Sequence, residues 1–339
     1  MPNQLQSILR QSTRYENEKL NILTFLSDEQ YDIGLYATGH RFFIIDYPGS
    51  KKWLLYNGQI PKNCQILVST NNRVELPSYR DYDIVIAHDK GAQFNIAQQL
   101  SEQFGIPLIV VEHTIPISSF TVARIRSDVN KCGKLNILIA SSQRTSWYLP
   151  EEYKTIINHP CINTQIFKPS CVEREDYILW IGDDVAIQQE ECGFNIMKHV
   201  TGFPLPMMKL RIVGNNPGLS KVPESLAQLI DIYSKAGVYL NTCLNSPLPT
   251  NMLLAMACGC PVVSLPIGDV NQIIQHGQNG FIASDLEAMR DHCSTLLHDK
   301  KLAINISKNA HETIRKKCGV ARFIQCWHDI LNQSIKENQ

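Results

Sequence analysis

The sequence lacks any apolar run long enough to cross a membrane. A bilayer-spanning helix needs about 20 consecutive apolar residues, whereas the hydrophobic stretches here are short, as in LNILTFL and PLIVV. The N-terminal segment, MPNQLQSILRQSTRYENEK, is polar and contains no signal-peptide core. We therefore predict a cytoplasmic protein without a transmembrane segment, bacterial or in a host cytoplasm if phage-encoded.

The sequence also has a formal net charge of zero and no cysteine spacing typical of a disulfide framework. The 32 basic and 32 acidic side chains cancel, which disfavours a globally basic nucleic-acid binder but leaves room for a local patch. The 11 cysteines are odd in number and follow no framework spacing, which fits a reducing compartment. Cys258 and Cys260 have no partner ligands nearby, so we predict a packed helix end and no metal.

The sequence does contain alternating strand-like and helix-like segments. In the first half, strands are predicted at 20–26, 41–46, 64–69, 82–87, 107–111 and 135–140, the last of that set, with a helix over 90–104. In the second half, strands are predicted at 177–181, 210–213, 238–240 and 261–265, with helices at about 188–200, 223–235, 250–258 and 285–298. This alternation predicts an α/β protein with two Rossmann-like, doubly wound domains facing a cleft.

The predicted domains are 1–165 and 166–318, joined by a linker around 160–175. A C-terminal helix within 319–339 is expected to pack back on the N-terminal domain.

Polar residues follow several predicted strands, at the sheet edge where such folds bind ligands. These groups are Ser27-Asp28-Glu29, His88-Asp89-Lys90, Glu112-His113 and Ser141-Ser142. The first group stands where a dinucleotide-binding dehydrogenase would carry Gly-x-Gly-x-x-Gly, so that class is disfavoured.

The segment NSPLPTNMLLAMACGCPVVS, residues 245–264, predicts a short buried helix. Pro249 and Thr250 suit its start, with Thr able to cap the first amides, and Gly259 suits its end. A buried helix start presents unpaired N–H groups and the positive end of a dipole, which attract phosphate. A plain buried helix with a capped start explains the same pattern, and the residues alone leave both readings open.

Several motifs resemble family 4 glycosyltransferases, also called glycosyl transferases group 1, which have the GT-B fold. The matching segments are AMACGCPVVS with IIQHGQNGFIASD, INHPCINTQIFKP, LRIVGNN and DIYSKAGVYLNT, which together cover most of 157–285 in the family's order. The resemblance implies retaining transfer from a nucleotide-diphospho-sugar, with a UDP-sugar favoured, no metal or cofactor, and an acceptor on the N-terminal domain. The implied donor-binding residues are Gly182, Gly214, Asn215, Pro223, Ser246, Pro247, Leu248, Pro249, Thr250 and Asn251.

The chain departs from the family at four positions. Ser246 and Leu254 stand where the family has Glu, and Asp183 and Cys192 stand near the positions of a diphosphate-binding Arg and Lys. Removing a diphosphate from water without partners is costly. In one hypothesis, helix-start amides at 249–251 and a cation from elsewhere in the cleft replace the lost pair, while Ser246 and Asn251 bond the sugar or ribose. In the other, the donor site is inactive.

The resemblance further implies that His113 lines the cleft near the reacting sugar, so His113 and Ser246 are the predicted catalytic residues. A histidine that only packs and bonds a carbonyl is the alternative for His113. His88, Asp89 and Lys90 occupy a similar strand end, and the leaving phosphate can itself take the acceptor proton, so no catalytic triad is expected.

A basic cluster at 121–144 includes Arg124 and Arg126. It fits either a solvated surface or an anionic acceptor such as a lipid diphosphate, a membrane surface or DNA phosphates. Three functions stay open: a transferase with a saccharide or lipid-linked acceptor and possible peripheral membrane contact, a phage-type transferase acting on hydroxymethylated DNA bases, and a non-catalytic binding protein.

Overall fold

A computed structural model describes residues 18–53, 59–70, 73–74, 76, 81–170 and 172–338. The described residues form two β-sheets with helices between their strands, one sheet from each half of the chain. The predicted α/β architecture with two Rossmann-like domains is thereby confirmed.

The first sheet has the strand order β4-β3-β2-β1-β5-β6-β7-β8, with every pairing parallel except β3 with β4. Its strands are β1 Asn21–Thr24, β2 Arg41–Asp46, β3 Cys64–Thr70, β4 Arg73–Val74, β5 Ile84–Ala87, β6 Leu108–Glu112, β7 Leu135–Leu138 and β8 Thr155–Ile157. Its helices are α1 Glu29–Tyr36, α2 Ala92–Phe104, α3 Val122–Val129 and α4 Ser142–Ser146. The central strands are buried throughout, as expected where helices cover both faces of a parallel sheet.

The prediction that 135–140 is the last strand of this set was wrong. The strand β8 follows it, pairs parallel with β7 and forms the edge of the sheet. It has three residues and is only partly buried, so it leaves no continuous apolar run in the sequence.

The second sheet has the order β10-β9-β11-β12-β13, and all its pairings are parallel. Its strands are β9 Glu175–Ile181, β10 Leu210–Val213, β11 Ala236–Asn241, β12 Val262–Ser264 and β13 Phe281–Ile282. Its helices are α5 Phe194–Thr201, α6 Leu226–Lys235, α7 Thr250–Ala257, α8 Val270–Ile273, α9 Leu286–His298 and α10 Lys300–Lys317.

Two helices differ from the sequence prediction. The helix predicted at 188–200 begins only at Phe194, after Gly193 in a left-handed conformation (φ +66°). The helix α10, 18 residues long, was not predicted. Its buried residues, Ala303, Ile306, Ala310 and Ile314, recur at helical spacing, so the pattern was present in the sequence.

The C-terminal helix α11 (Val320–Lys336) packs back on the N-terminal domain, as predicted. Phe323 and Trp327 contact Tyr31 of α1 edge-to-face. Arg322 donates to Asn158 and to the carbonyl of His159. The described residues contain no helix long and apolar enough to cross a membrane.

Among the described residues, hydrogen bonds to Asp269, Asn245 and Glu190 join the two domains along the cleft. The carboxylate of Asp269 accepts from the amides of Ser141 (2.6 Å) and Ser142 (3.0 Å). Burial raises the pKa of Asp269, but hydrogen bonds from the two serines outweigh it and hold that pKa below its ordinary value. The carbonyl of Asn245 accepts from Ile115 N at 2.7 Å, and Glu190 accepts from Ser119 N at 3.2 Å. The two strand-end edges therefore face each other closely.

Candidate active site between the two domains

A cavity of about 710 Å³ lies between the strand ends of the two sheets, and we call it the cleft cavity. The N-terminal domain contributes residues 26–30, which follow β1, and Lys51 and Lys52, which follow β2. The C-terminal domain contributes the residues after β9, β10 and β11 and the start of α7. Ligands of doubly wound sheets bind at this edge because the loops after the strands converge there.

Two glycine turns form one wall of the cleft cavity. At Gly214 (φ +135°) an added Cβ would lie 2.2 Å from the carbonyl oxygen of Gly182, so only glycine fits this close approach. Asn216 joins the turns, donating to the Gly182 carbonyl (2.6 Å) and accepting from Val185 N (3.0 Å). Asp183 accepts from Asn215 N at 2.6 Å. These bonds fix a backbone surface that can approach a flat ligand.

The start of α7 opens onto the same cavity. Pro249 is the N-cap, and no side chain caps this helix within the described structure, so the predicted capping by Thr250 does not occur. Met252 N and Leu253 N bond the Pro249 carbonyl, whereas the amides of Thr250 and Asn251 have no partner among the described residues. The helix thus presents two free N–H donors at the positive end of its dipole.

The cleft cavity has an acidic lining. Its charged residues are Asp28, Glu29, Lys51, Lys52, Asp183, Asp184 and Glu191. Both lysines belong to the N-terminal domain, so the described lining of the C-terminal domain holds no Lys or Arg. The resemblance implies two cations near the positions of Asp183 and Cys192. No other Lys or Arg of the described C-terminal lining replaces them.

A second cavity of about 660 Å³, the side cavity, is lined mostly by the N-terminal domain and shares Gln188, Glu191 and Asn245 of the C-terminal domain with the cleft cavity. Its lining includes His88, Asp89, Lys90, Glu112, Phe120, Arg124, Lys131 and Trp147. The shared residues make the two cavities neighbours, which is the arrangement a two-substrate site requires.

A buried ion pair lies at the side cavity. Lys90 Nζ is 3.4 Å from Glu112 Oε2, and the two side chains are only 9% and 8% exposed. Lys90 Nζ also lies 4.6 Å from the centre of the Trp147 ring, a cation–π contact. Glu112 Oε1 accepts from the amide and hydroxyl of Thr114. The pair therefore joins β5, β6 and α4 across the cavity wall.

The basic cluster at 121–144 does not form one surface patch. Arg124 lies 3.5 Å above the Phe120 ring and within 3.7 Å of Asp128, while Lys131 pairs with Asp128 at 3.0 Å. Arg126 is exposed and lines neither cavity. Only part of the cluster therefore faces the candidate site, and there the single carboxylate of Asp128 pairs with both Arg124 and Lys131.

The two candidate histidines form a buried pair. His113 Nε2 lies 3.1 Å from His88 Nδ1, and His88 Nε2 lies 3.1 Å from Thr24 Oγ1. His88 lines the side cavity, whereas His113 lies behind it against the Tyr31 ring and lines neither cavity. Burial lowers the pKa of His113 to about 3 and that of His88 well below its usual range. Both imidazoles are therefore neutral at physiological pH.

This neutrality predicts a loss of stability in acid. Unfolded His113 would bind a proton below about pH 6.5, but folded His113 does so only near pH 3. Its contribution to stability is complete above pH 6.5 and is lost as the pH falls toward 3, roughly 3 kcal/mol by pH 4. Burial raises the pKa of Asp32 to about 7, so the contribution of Asp32 to stability has the opposite pH dependence. Wild type and His113→Gln both contain Asp32, so the difference between them isolates the contribution of His113. Urea unfolding at pH 7 and pH 4 should show the smaller pH effect in the variant; equal pH effects would contradict the assignment.

Comparison with known proteins agrees with this geometry. Residues 185–299 match the sequence model of a family described as glycosyl transferases group 1. Sucrose-phosphate synthase from Thermosynechococcus elongatus superposes with a TM-score of 0.74 over 94% of this chain and 100% of that one, at 12% identity. HepE from Anabaena, solved in complex with UDP, superposes with a TM-score of 0.70 over 93% of this chain and 100% of that one, at 16% identity. The chain is a GT-B protein with a glycosyl transferases group 1 region.

A curated relative matches a smaller part of this GT-B chain. N-acetyl-alpha-D-glucosaminyl L-malate synthase from Bacillus anthracis is 30% identical over 86 residues, which are 24% of this chain and 23% of the relative. The alignment thus spans about a quarter of that relative's length.

The GT-B cleft gathers most of the sequence-predicted site residues. Of the predicted donor residues, those lining the cleft cavity are Gly182, Gly214, Asn215, Pro223, Ser246, Pro249, Thr250 and Asn251. Pro247 and Leu248 lie behind it, because the Pro247 carbonyl accepts from Asp269 N and Leu248 is fully packed. His88, Asp89, Lys90 and Arg124 line the side cavity.

Sequence reasoning did not single out Lys51 or Trp147 as functional. Lys51 lies beyond the turn that follows β2 rather than directly at the strand end, and Trp147 lies in a turn after α4. Asn216 belongs to the segment LRIVGNN, and an asparagine two residues after a strand-ending glycine is a signal for a turn-stabilising side chain.

Proposed function

We propose that this protein transfers a sugar, with retention of configuration, from a nucleotide-diphospho-sugar to an acceptor hydroxyl. The observation that carries the proposal is the start of α7, where two unpaired amides open onto the cleft cavity beside the glycine turns. Amides at a helix N-terminus bind phosphate because their partial positive charges add along the helix. UDP is the favoured nucleotide, which agrees with the UDP and UDP-glucose complexes of HepE.

The donor then lies along the cleft cavity. Its base and ribose contact the turn at Gly214 and the residues up to Pro223, and its diphosphate accepts from Thr250 N and Asn251 N. The sugar extends toward Ser246 and Asn245, where the two cavities meet. Tyr233 OH donates to Asn251 Oδ1 at 3.0 Å, which leaves the Asn251 amide group to donate to ribose or sugar.

The reaction needs no protein base in this geometry. The bond between the anomeric carbon and the phosphate oxygen breaks, the acceptor oxygen bonds that carbon from the same face, and its proton passes to the leaving phosphate. Both ring nitrogens of His88 already face Thr24 and His113, so His88 offers no free proton acceptor. We assign His113 a positioning role, holding His88 at the cavity wall, and Ser246 a contact with the donor sugar.

The acceptor occupies the side cavity. Phe120 and Trp147 offer ring surfaces, and the surrounding carboxylates and amides offer hydrogen-bond partners, a combination that suits a saccharide. A surface glycan or a lipid-linked saccharide is the favoured acceptor. Sugar transfer in general is also supported by S. aureus TarM, a structural neighbour that was solved with alpha-GlcNAc-glycerol and UDP.

A DNA-modifying transferase and a non-catalytic binding protein are the two alternatives, and each makes a different prediction. A DNA-modifying enzyme requires cations free to contact phosphates, and Arg124 is instead held by Phe120 and Asp128. That alternative predicts salt-sensitive duplex binding, weakened in an Arg124→Ala, Arg126→Ala double variant. A non-catalytic protein is favoured by the acidic lining of the cleft cavity and predicts no turnover with any donor.

The proposal is tested by removing a single backbone donor. Thr250→Pro should keep the fold, because proline is favoured at the first helical position and Pro249 is already extended (ψ 122°). It removes the Thr250 N–H, so UDP affinity should fall about tenfold to a hundredfold, the range of a hydrogen bond to a charged group. Thr250→Ala keeps the N–H and should retain UDP binding. Isothermal titration calorimetry with UDP measures both.

A donor screen completes this test. Thermal shift and hydrolysis are measured with UDP-, GDP-, ADP-, CMP- and dTDP-sugars, since a ligand at 100 times its Kd adds about 2.7 kcal/mol of stability. One stabilising donor that is also hydrolysed supports the transferase. Binding without turnover supports the non-catalytic alternative, and a Thr250→Pro chain that binds UDP as wild type does would overturn the assigned phosphate position.

A further inference from the structure

The cleft cavity is lined by more negative than positive charges, although the proposed donor is itself negatively charged. Five carboxylates line it, from Asp28, Glu29, Asp183, Asp184 and Glu191, against the two lysines 51 and 52. A diphosphate carries about two negative charges, and two amides at a helix start do not offset both the diphosphate and this lining. A cation that contacts the diphosphate would offset this excess of negative charge.

The two lysines differ in their availability. Lys52 Nζ is paired with the Asp46 carboxylate, which also accepts from Ser50. Lys51 is exposed, and it has no hydrogen bond or ion pair among the described residues. Lys51 is therefore the cation at this cavity that is free to contact a ligand.

The backbone before Lys51 is fixed by a tight turn. Ser50 N donates to the Tyr47 carbonyl at 2.9 Å, with Pro48 and Gly49 at the corner and Gly49 at φ +84°. Proline followed by a glycine with positive φ is the pattern of a type II turn. This turn follows β2 at the sheet edge that faces the other domain, so the Lys51 stem starts from a defined position.

The charge of Lys51 reaches the interior of the cleft. It lowers the pKa of the buried imidazoles of His88 and His113, after burial itself, and it opposes the upward effect of burial on the pKa of Asp89. These groups follow β5 and β6, so the charge of Lys51, which lines the cleft cavity, acts on residues at the strand ends.

We propose that Lys51, from the N-terminal domain, supplies the cationic contact for the donor diphosphate that the C-terminal domain lacks. The diphosphate is then held between the α7 amides of one domain and the Lys51 ammonium group of the other. Donor affinity accordingly depends on closure of the two domains. This inference rests on the proposed nucleotide-sugar transfer.

The test separates the phosphate from the rest of the nucleotide. Calorimetry measures UDP and uridine binding to full-length wild type, Lys51→Met, Lys51→Arg and Lys62→Met, the last an exposed charge that lines neither cavity. Lys51→Met should weaken UDP about tenfold to a hundredfold and leave uridine within twofold. Lys51→Arg should restore most of the UDP affinity, and Lys62→Met should match wild type.

Three results would overturn the inference. In the first, Lys51→Met binds UDP as tightly as wild type does, which leaves the transferase proposal intact. In the second, Lys51→Met weakens UDP and uridine equally, which indicates a general effect on the cleft. In the third, wild type binds none of UDP, GDP or ADP, and then the transferase proposal fails as well.

Discussion

Replacing Gly193 with alanine is expected to lower the free energy of unfolding by about 3 kcal/mol. Gly193 has φ +66°, and an added Cβ would lie 1.9 Å from the carbonyl oxygen of Thr242. That carbonyl cannot easily move, because the Thr242 hydroxyl accepts from Trp180 Nε1 (2.7 Å) and donates to the Cys192 carbonyl (2.8 Å). The variant therefore combines left-handed strain with a backbone clash.

Gly218→Ala is the matched control for this prediction. Gly218 has φ +79°, but nothing lies within 4 Å of its added Cβ, so it bears the backbone strain alone, about 1 kcal/mol. Urea unfolding followed by tryptophan fluorescence compares the two variants. Similar losses of unfolding free energy in both variants would mean that the Thr242 carbonyl moves away from the added Cβ and relieves the clash. Because Thr242 and Cys192 line the cleft cavity, Gly193→Ala should also weaken UDP binding, whereas Gly218→Ala should not.

Lys90→Met is expected to destabilise the protein by about 3 kcal/mol. Methionine preserves much of the volume of the lysine stem but removes the ammonium group 3.4 Å from Glu112 Oε2. That oxygen is buried and has no hydrogen bond within the described structure. A buried carboxylate without its counter-ion retains its desolvation cost and loses the attraction that offset it.

Adding Glu112→Gln to Lys90→Met should recover most of this stability, to within about 1 kcal/mol of wild type. Glutamine keeps an oxygen that can accept from Thr114, as Glu112 does, and carries no charge. A double-mutant cycle from urea unfolding gives the coupling between the two residues. Additive losses would show that the pair contributes little beyond packing. Since both residues line the side cavity, each variant should also raise the acceptor KM while leaving UDP affinity largely unchanged.

The candidate site lacks the charges that the family resemblance implies. Asp183, which stands near the position of a family arginine, binds the Asn215 amide and stabilises the Gly214 turn. Leu254 is buried within α7 and faces the cleft cavity with an apolar surface. The helix start and the glycine turns, which we propose contact the nucleotide through backbone atoms, depend on chain geometry rather than on side-chain charge.

The sequence by itself determined the two-domain α/β fold and the helix start at residue 250. The short apolar run RFFIID matches β2 residue for residue, and its four central residues are buried, because a strand buried on both faces must be continuously apolar. The run LRIV also matches β10, although that edge strand is only partly buried. The Pro-Thr start and Gly-x-Pro end bound α7, since proline and glycine act through local backbone conformation. Local rules of this kind do not require knowledge of distant contacts.

Only the tertiary structure decided which charged and polar groups meet. His113 was predicted to line the cleft, but the packing of α1 places it behind His88 and against Tyr31. Lys90 and Glu112 are 22 positions apart in the sequence, and no sequence pattern predicts that they form an ion pair at 3.4 Å. Lys51 lines the cleft cavity because β2 ends at the same sheet edge as β1 and β5 and the second domain closes over it. Such pairings are set by domain packing, because the interaction between two side chains depends on their distance in space and not on their separation along the chain.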